Sequence, residues 1–427
     1  MRSLVAELIG EARTLASRFE PQSSIDLAPV RDRELGILVP PWRHNGEIRD
    51  HKGHRMISRV GGFPPSLARY FVAAYSKPAD VVLDPFCGKG TTLLEAVCMG
   101  RTAVGGDVAP DAVVVSRAKC LPVSIAAVAS YIESLPVKGP HDESQVPEDV
   151  ALFFSKKTLR QLLSIRRRLL DDMHSRSKGD VATFTCGVML GILHGHSRLS
   201  LSLPCNQAFA MSPNYVRRYV AAHGLSRPDR DVRQCLLEKS LELLPAPRIG
   251  ARARVFEAPA QRCQSYMRRI SRPAKLILTS PPYLNRQTYI RDSWLRLWFL
   301  GRNRADQKES TLETGNVISF VRALEVVIPA MNEVLEPGGR IVLVCGQAKV
   351  TFEGKEHSVR VSDLCFHALN SLGEKKALSV ETVIMDRKLM TRGSYFAVHH
   401  GHANGSNGPK LPRYGEDEIL ILRKAGR

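Results

Sequence analysis

The chain has 427 residues, 44% of them hydrophobic and 24% charged, with 61 Lys and Arg against 42 Asp and Glu and a formal net charge of +19. That length buries a large core in one extended domain or two, and the absence of an apolar run near ~20 residues excludes a membrane-spanning helix. Nine cysteines are scattered without a CxxC pair, which speaks against a zinc or disulfide framework and for a reducing, cytoplasmic compartment. A surface this basic suits a polyphosphate partner.

In chain order, Met1–Phe19 predicts an amphipathic helix rather than a signal peptide. The irregular stretch to about residue 45 is punctuated by Val39-Pro40-Pro41-Trp42. His44, His51 and His54 follow in a polar stretch; their spacing fits no standard metal-ligand set, so they read as solvated loop histidines. From Phe63 a regular alternation begins. Pro64-Pro65 opens a helix, with Leu67, Tyr70, Phe71 and Ala74 at helical spacing. Val81–Leu83 is an apolar strand running into a glycine turn, and a helix from Thr91 to about Met99 stops at Gly100. A second strand, Ala103–Gly106, ends at Asp107, and a further helix runs from Ala109 to Lys119. Strand–helix–strand–helix in such close order calls for a parallel sheet covered on both faces.

Residues 121–249 change character and predict a mainly helical insertion in an α/β core made of 46–120 and 250–427, with 1–45 as a separate N-terminal segment. Within the insertion, 156–173 places Leu159, Leu162, Leu163, Leu170 and Met173 on an apolar stripe and crowds Lys156, Lys157, Arg160, Arg167 and Arg168 around the rest. Arg217, Arg218, Arg227, Arg230 and Arg233 add basic density. The α/β rhythm resumes with strands at Arg254–Phe256 and Lys275–Leu278, a helix over Ser319–Leu335, and strands at Ile341–Val344, Ser379–Met385 and Glu418–Leu422. His399, His400 and His402 sit in a Gly- and Asn-rich segment and read as part of a flexible connection, not as a metal site.

The first strand leads into Asp84-Pro85-Phe86-Cys87-Gly88-Lys89-Gly90-Thr91-Thr92. Gly88 and Gly90 let the backbone turn tightly and approach a ligand, and the helix that follows presents free N–H groups. The third glycine of a dinucleotide fingerprint is missing, and the phosphate-loop pattern is not met. The segment resembles instead the cofactor motif of class I methyltransferases in its DPFxGxGTT form. That resemblance implies S-adenosylmethionine as cofactor. It places Asp84, Pro85, Phe86, Gly88, Gly90, Thr91 and Thr92 around the methionine part and Asp107 on the ribose hydroxyls. Gly62-Phe63-Pro64-Pro65-Ser66-Leu67 resembles the family's further cofactor-contacting motif, which adds Phe63 and Pro65. Glu257 and Ala258 fall where the adenine would lie, although Glu-Ala-Pro-Ala departs from the usual acidic pattern there.

Far downstream, the strand Leu276–Leu278 ends in Thr279-Ser280-Pro281-Pro282-Tyr283. An exocyclic base amine is a weak nucleophile because its lone pair is delocalised into the ring. An acceptor at Ser280 and the Pro281 carbonyl can each take one of its N–H bonds and turn the nitrogen toward sp3. Pro281 and Pro282 hold that carbonyl with little entropy to lose, and Tyr283 offers a π face worth ~1–3 kcal/mol in stacking a base. The tetrapeptide is similar to the [DNS]PP[YF] signature of DNA amino-methyltransferases; its serine form most often accompanies N4-cytosine methylation, while the Asp and Asn forms accompany N6-adenine methylation, which is the second choice here. Thr279 then joins the cofactor-binding set, and residues 284–298 also look like the flank of such enzymes.

The resemblance implies a class I, Rossmann-like core with a mostly parallel, seven-stranded twisted sheet and helices on both faces. It further implies duplex DNA as partner, held through the basic insertion with a base flipped out, and membership of a restriction–modification set. An RNA guanine-N2 methyltransferase shares the motif order, yet usually carries Asp in place of Ser280. Cytosine-C5 methylation would need a nucleophilic cysteine and a Glu-Asn-Val peptide that the chain lacks, so Cys205 reads as an inert thiol. A silent nucleic-acid binder is disfavoured by the intact tetrapeptide. No metal is expected.

Overall fold

The computed structural model describes residues 30–31, 38–39, 42, 51–58, 62–139, 146–195, 197–203, 212–244, 251, 253–282, 284, 293–302, 316–352, 355–371, 378–389 and 414–426. The helix expected over Met1–Phe19, together with His44, Cys205, Tyr283, His399, His400 and His402, lies outside the described residues.

Seven strands form one sheet: β1 (Val81–Asp84), β2 (Thr102–Asp107), β3 (Ala253–Glu257), β4 (Ala274–Thr279), β5 (Leu335–Cys345), β6 (Leu378–Leu389) and β7 (Tyr414–Lys424). Their order is β6-β7-β5-β4-β1-β2-β3. The pairings from β5 through β4, β1 and β2 to β3 are parallel, while β7 runs antiparallel between β5 and β6. This is the mostly parallel, Rossmann-like seven-stranded sheet expected from the sequence. The helices of six residues or more are α1 (Pro65–Tyr75), α2 (Thr91–Cys98), α3 (Pro110–Lys119), α4 (Ile125–Ser134), α5 (Lys156–Asp172), α6 (Gly179–Ile192), α7 (Pro213–His223), α8 (Val232–Leu243), α9 (Trp294–Phe299), α10 (Val317–Val334) and α11 (Val361–Asn370).

The sheet is buried on both faces because its central strands carry continuous apolar runs (Val81–Leu83, Leu276–Leu278, Ile341–Val344) and successive side chains alternate sides. Leu276 and Leu278, Val342 and Val344, and Ile419 and Ile421 pack with Leu67, Phe71 and Val72 of α1 and Leu93 and Val97 of α2. Their neighbours Ile277, Ile341, Leu343, Leu420 and Leu422 pack with Phe320 and Leu324 of α10 and Leu364 of α11. The chain turns from β1 to β2 and β3 on one side, then crosses to β4 on the other. That switch of direction opens a crevice at the carboxyl ends of β1 and β4, where open α/β sheets take their ligands.

Helices α4–α8 bury a third apolar cluster of their own, which joins the core through Val115 and Ala118 of α3, Met56 and Ile57, and Leu295 and Phe299 of α9. The buried side of α5 is Thr158, Leu159, Leu162, Ile165 and Leu169, whereas Leu163 and Leu170 are half-buried. Steps of four, three and four from Thr158 set that face, so the stripe lies slightly round the helix from the expected one. His51 and His54 also differ from expectation. His51 is buried as the cap of a short 3-10 turn (Lys52–Arg55) and His54 is half-buried within it, with His51 Nδ1 accepting from Gly53 N and His54 Nε2 2.7 Å from Glu95 Oε1. The reason is Glu95, a carboxylate buried inside α2 that needs partners. Arg69 supplies two more bonds at 2.9 and 3.2 Å. Burial acts to raise this carboxyl, but the bonds from His54 and Arg69 outweigh it and hold it below its usual range.

Among the described residues no helix is long and apolar enough to cross a membrane, and no cluster of side chains could hold a metal ion. The insertion is fastened to the core at a backbone contact: a Cβ on Gly191 of α6 would lie 1.9 Å from the Met56 carbonyl oxygen. Gly191→Ala should therefore force α6 off the 51–58 segment and lower stability by about 1–3 kcal/mol, read as a fall in Tm; an unchanged Tm would show that this junction can relax.

Candidate active site

The two motif loops meet at the crevice. Asp84 ends β1 and Thr279 ends β4, neighbouring strands in register at Val82–Leu276 and Leu83–Ile277. Thr279 Oγ1 donates to Asp84 Oδ1 at 2.6 Å, and Thr92 Oγ1, in the first turn of α2, donates to the Leu278 carbonyl at 3.2 Å. Phe86 N donates to the same Asp84 oxygen at 3.2 Å. Asp84 is only 2% exposed, so it joins the loops from inside rather than offering an open carboxylate. Burial pushes its carboxyl up to about 7, against the bonds from Thr279, Thr92 and Phe86, which favour the ionised form.

The glycine loop is built as its residue types require. Gly88 and Gly90 have φ of +48° and +73°, values that side-chain-bearing residues rarely adopt. Gly90 also lies against α3, where an added Cβ would come within 2.7 Å of Ser116 Oγ. Asp107, at the end of β2, accepts from Gly88 N at 2.8 Å through Oδ2 and from Ala109 N at 2.9 Å through Oδ1. Its carboxylate thus ties the loop to the start of α3. Each oxygen keeps lone-pair capacity for a further hydroxyl. The β3 exit is adjacent, with Asp107 opposite Glu257 and Ala258 N donating to the Asp107 carbonyl. Phe63 is buried with Cys87 and Leu93 in the cluster under the loop, and Pro65 is the first residue of α1.

Two residues with no role in the sequence analysis hold this loop. Ser116 Oγ donates to the Gly88 carbonyl at 2.9 Å, and Lys119 Nζ donates to the Lys89 carbonyl at 2.7 Å. Both project from α3 three residues apart, a spacing that faces one direction and was the available signal. Lys119 is 3% exposed; burial, and then the charge of Lys89, push its ammonium down to about 7. Lys89 stood inside the quoted motif but had no role.

On the other side, Ser280 Oγ donates to the Val344 carbonyl of β5 at 2.8 Å. Its proton is therefore committed, and its lone pairs are left to accept. Pro281 is buried and Pro282 half-buried beside it. Beyond the tetrapeptide, α9 docks into the helical insertion. Arg166 of α5 donates to the carbonyls of Phe299 at 2.7 Å and Trp298 at 2.9 Å, and Trp294 meets Phe153 edge-on at 5.6 Å. Arg296 donates to the carbonyls of Leu190 and Ser58, and Ser293 Oγ to Asp111.

With this geometry in view, comparison with known proteins is decisive for one segment: residues 42–116 match the family model of DNA methylases (N6/N4 methyltransferases). This segment is similar to that family, and the match covers a minor part of the chain. The matched segment holds α1, β1, the glycine loop, α2 and β2. The Type II methyltransferase M.MjaII of Methanocaldococcus jannaschii is 36% identical over 59 residues, 14% of this chain and 11% of that protein. The tRNA (guanine(10)-N2)-dimethyltransferase of Methanothermobacter thermautotrophicus is 42% identical over 80 residues, 18% of this chain and 23% of that protein. The chain thus spans a small fraction of the length of these curated relatives. Among solved structures, the rRNA methyltransferase aviRa of Streptomyces viridochromogenes superposes with a TM-score of 0.28 at 12% identity, covering 76% of this chain and 97% of that one.

Protonation of Asp84 gives a test of the joint. The folded carboxyl holds its proton to about pH 7, while the unfolded one releases it near the ordinary value of 3.8. Between those values the folded state binds more protons, so this contribution to stability is full below the lower value and declines as pH rises through the higher one. Asp84→Asn keeps an acceptor for Thr279 and Phe86 N and cannot ionise. Its Tm should match wild type near about pH 4 and exceed it by a few degrees near about pH 8; a difference independent of pH would mean that Asp84 is ionised throughout.

Proposed function

We propose that this protein transfers a methyl group from S-adenosylmethionine to an exocyclic amine of a DNA base, cytosine N4 in the first instance, by direct in-line transfer to a flipped-out base. The observation that carries the reading is the Thr279–Asp84 bond, which sets the start of the amine loop beside the glycine loop. The residues present fit the cofactor. The glycine loop offers a cradle that side chains would fill, Asp107 keeps acceptor capacity at a strand end, and the Thr91 hydroxyl is buried at the start of α2 without a hydrogen-bond partner among the described residues. When bound, S-adenosylmethionine supplies an electrophilic methyl group on a sulfonium.

The chain's own residues then have distinct tasks. Ser280, its proton held by Val344, accepts one N–H of the target amine, and the Pro281 carbonyl accepts the other. Both bonds withdraw the nitrogen lone pair from the aromatic ring and aim it. Pro282 stiffens the loop, and Tyr283 stacks on the extruded base. Phe63, Pro65, Pro85, Phe86, Gly88, Gly90, Thr91, Thr92 and Asp107 shape the cofactor's place, with Asp84 and Thr279 as the joint behind it. Near-attack positioning can supply up to ~7–11 kcal/mol of the barrier, enough that alignment rather than a strong base carries the rate.

The region 121–249 is the proposed target-recognition part. Many of its cations serve the fold: Arg166, Arg227 and Arg233 bond backbone carbonyls, and Arg168 and Arg217 pair with Asp172 and Asp149. Lys156, Lys157, Arg167 and Arg218 remain exposed, with no acidic partner among the described residues, and suit phosphates. Because α9 links this region to the amine loop, contact with the duplex and placement of the base are mechanically joined. A cytoplasmic setting and a restriction–modification role accord with this reading.

A second reading, methylation of a guanine N2 in tRNA, is favoured by the similarity to the archaeal tRNA dimethyltransferase. Incubation with labelled S-adenosylmethionine and either duplex DNA or tRNA, followed by nucleoside mass spectrometry, separates the readings. N4-methylcytosine in DNA is expected, N6-methyladenine would move the base assignment, and label in tRNA alone would overturn the DNA reading. Ser280→Ala and Tyr283→Ala should each lower turnover on the order of a hundredfold, the scale of losing one preorganised polar or stacking group, with cofactor affinity kept; full activity in Ser280→Ala would refute the amine assignment. If about six phosphates are neutralised, log K for DNA should fall with log salt at a slope near −5, and a slope near zero would remove the nucleic-acid partner.

A further inference from the structure

We propose that the ammonium of Lys89, at the tip of the glycine loop, receives the α-carboxylate at the methionine end of S-adenosylmethionine. This rests on the cofactor reading above and adds a binding residue to it. Lys89 stands between Gly88 and Gly90 and is half-buried. It folds back on the segment that opens α1, so that a Cβ on Gly62 would lie 2.5 Å from its Cε and 3.0 Å from its Nζ. The ammonium therefore sits between the two segments expected to border the methionine part.

Its electrical surroundings are unusual. Partial burial lowers the affinity of the Lys89 ammonium for a proton, and no carboxylate among the described residues pairs with it. Lys119 adds a second buried ammonium close by, bonded to the Lys89 carbonyl and likewise without an acidic partner among the described residues. Burying such charges uncompensated is costly, and an anion arriving in the crevice offsets that cost. The cofactor carries one anionic group, the carboxylate. Its sulfonium and α-ammonium are cations, and its ribose hydroxyls belong with Asp107 at the β2 end. Ser116 and Lys119 hold the carbonyls of Gly88 and Lys89 toward α3, which keeps the loop, and Lys89 on it, in position before the ligand arrives.

Calorimetry on the full chain tests this without turnover. The ligands are S-adenosylhomocysteine and its decarboxylated analogue S-adenosyl-3-thiopropylamine, which differ in the carboxylate alone. Lys89→Met should weaken S-adenosylhomocysteine roughly tenfold, the scale of one charge-assisted bond, and leave the analogue unchanged or tighter. Lys89→Arg should recover part of the loss. Equal weakening of both ligands would reveal general damage to the loop and overturn the proposal, as would no change for either, or a loss confined to DNA binding. If wild type bound neither ligand, the S-adenosylmethionine reading itself would fall, a result distinct from failure of the Lys89 assignment.

Discussion

The site depends on one buried hydrogen bond, from Thr279 Oγ1 to Asp84 Oδ1 at 2.6 Å. Its two residues are 195 positions apart and stand at the ends of adjacent parallel strands. A parallel pair needs a long crossover, and in this chain the crossover grew to hold β2, β3 and the helices between them. The bond closes that excursion at the point where the sheet changes direction. With Asp84 buried, its carboxyl has little else to bond, and the loops on either side start from a shared origin.

Support for the glycine loop comes from behind. Positive φ at Gly88 and Gly90 gives a tight turn, but a turn so free of side chains needs outside restraint to hold one shape. Asp107 takes the Gly88 N–H, and Ser116 and Lys119 take the carbonyls of Gly88 and Lys89. Helix α3 is thus a strut as well as a cover for the sheet. Glu95 does similar service on the far side of α2, drawing Arg69 of α1 and His54 of the preceding turn into one cluster. Asp84, Glu95 and Asp107 thus tie elements together, each through a partner from a different segment.

The helical insertion is a folded unit with its own apolar cluster, yet it touches the core at the places that matter for the site. It leans on α3, which braces the cofactor loop, and on α9, which continues from the amine loop. A ligand held by its basic face would therefore bear on both halves of the crevice through rigid helices.

The sequence by itself determined the strands, the glycine turn and the tetrapeptide. Apolar runs of three or four residues bounded by Gly and Pro admit little but buried strands, and the order of elements admits little but a parallel sheet. It also named the residues of both loops, because φ-permissive glycines and paired prolines announce their use locally. Only tertiary structure decided what those residues touch. Asp84 reads as a ligand in sequence and lies inside as a joint; His51 and His54 read as solvated, yet one is buried and the other half-buried against Glu95; Ser116 and Lys119 carried no role in the sequence and brace a loop some thirty residues earlier in the chain. The physical reason is common to all of these. Backbone propensity is local and can be read along the chain, whereas the partner that satisfies a buried polar group is chosen by which strands and helices pack together, and that choice has no signature at the residue itself.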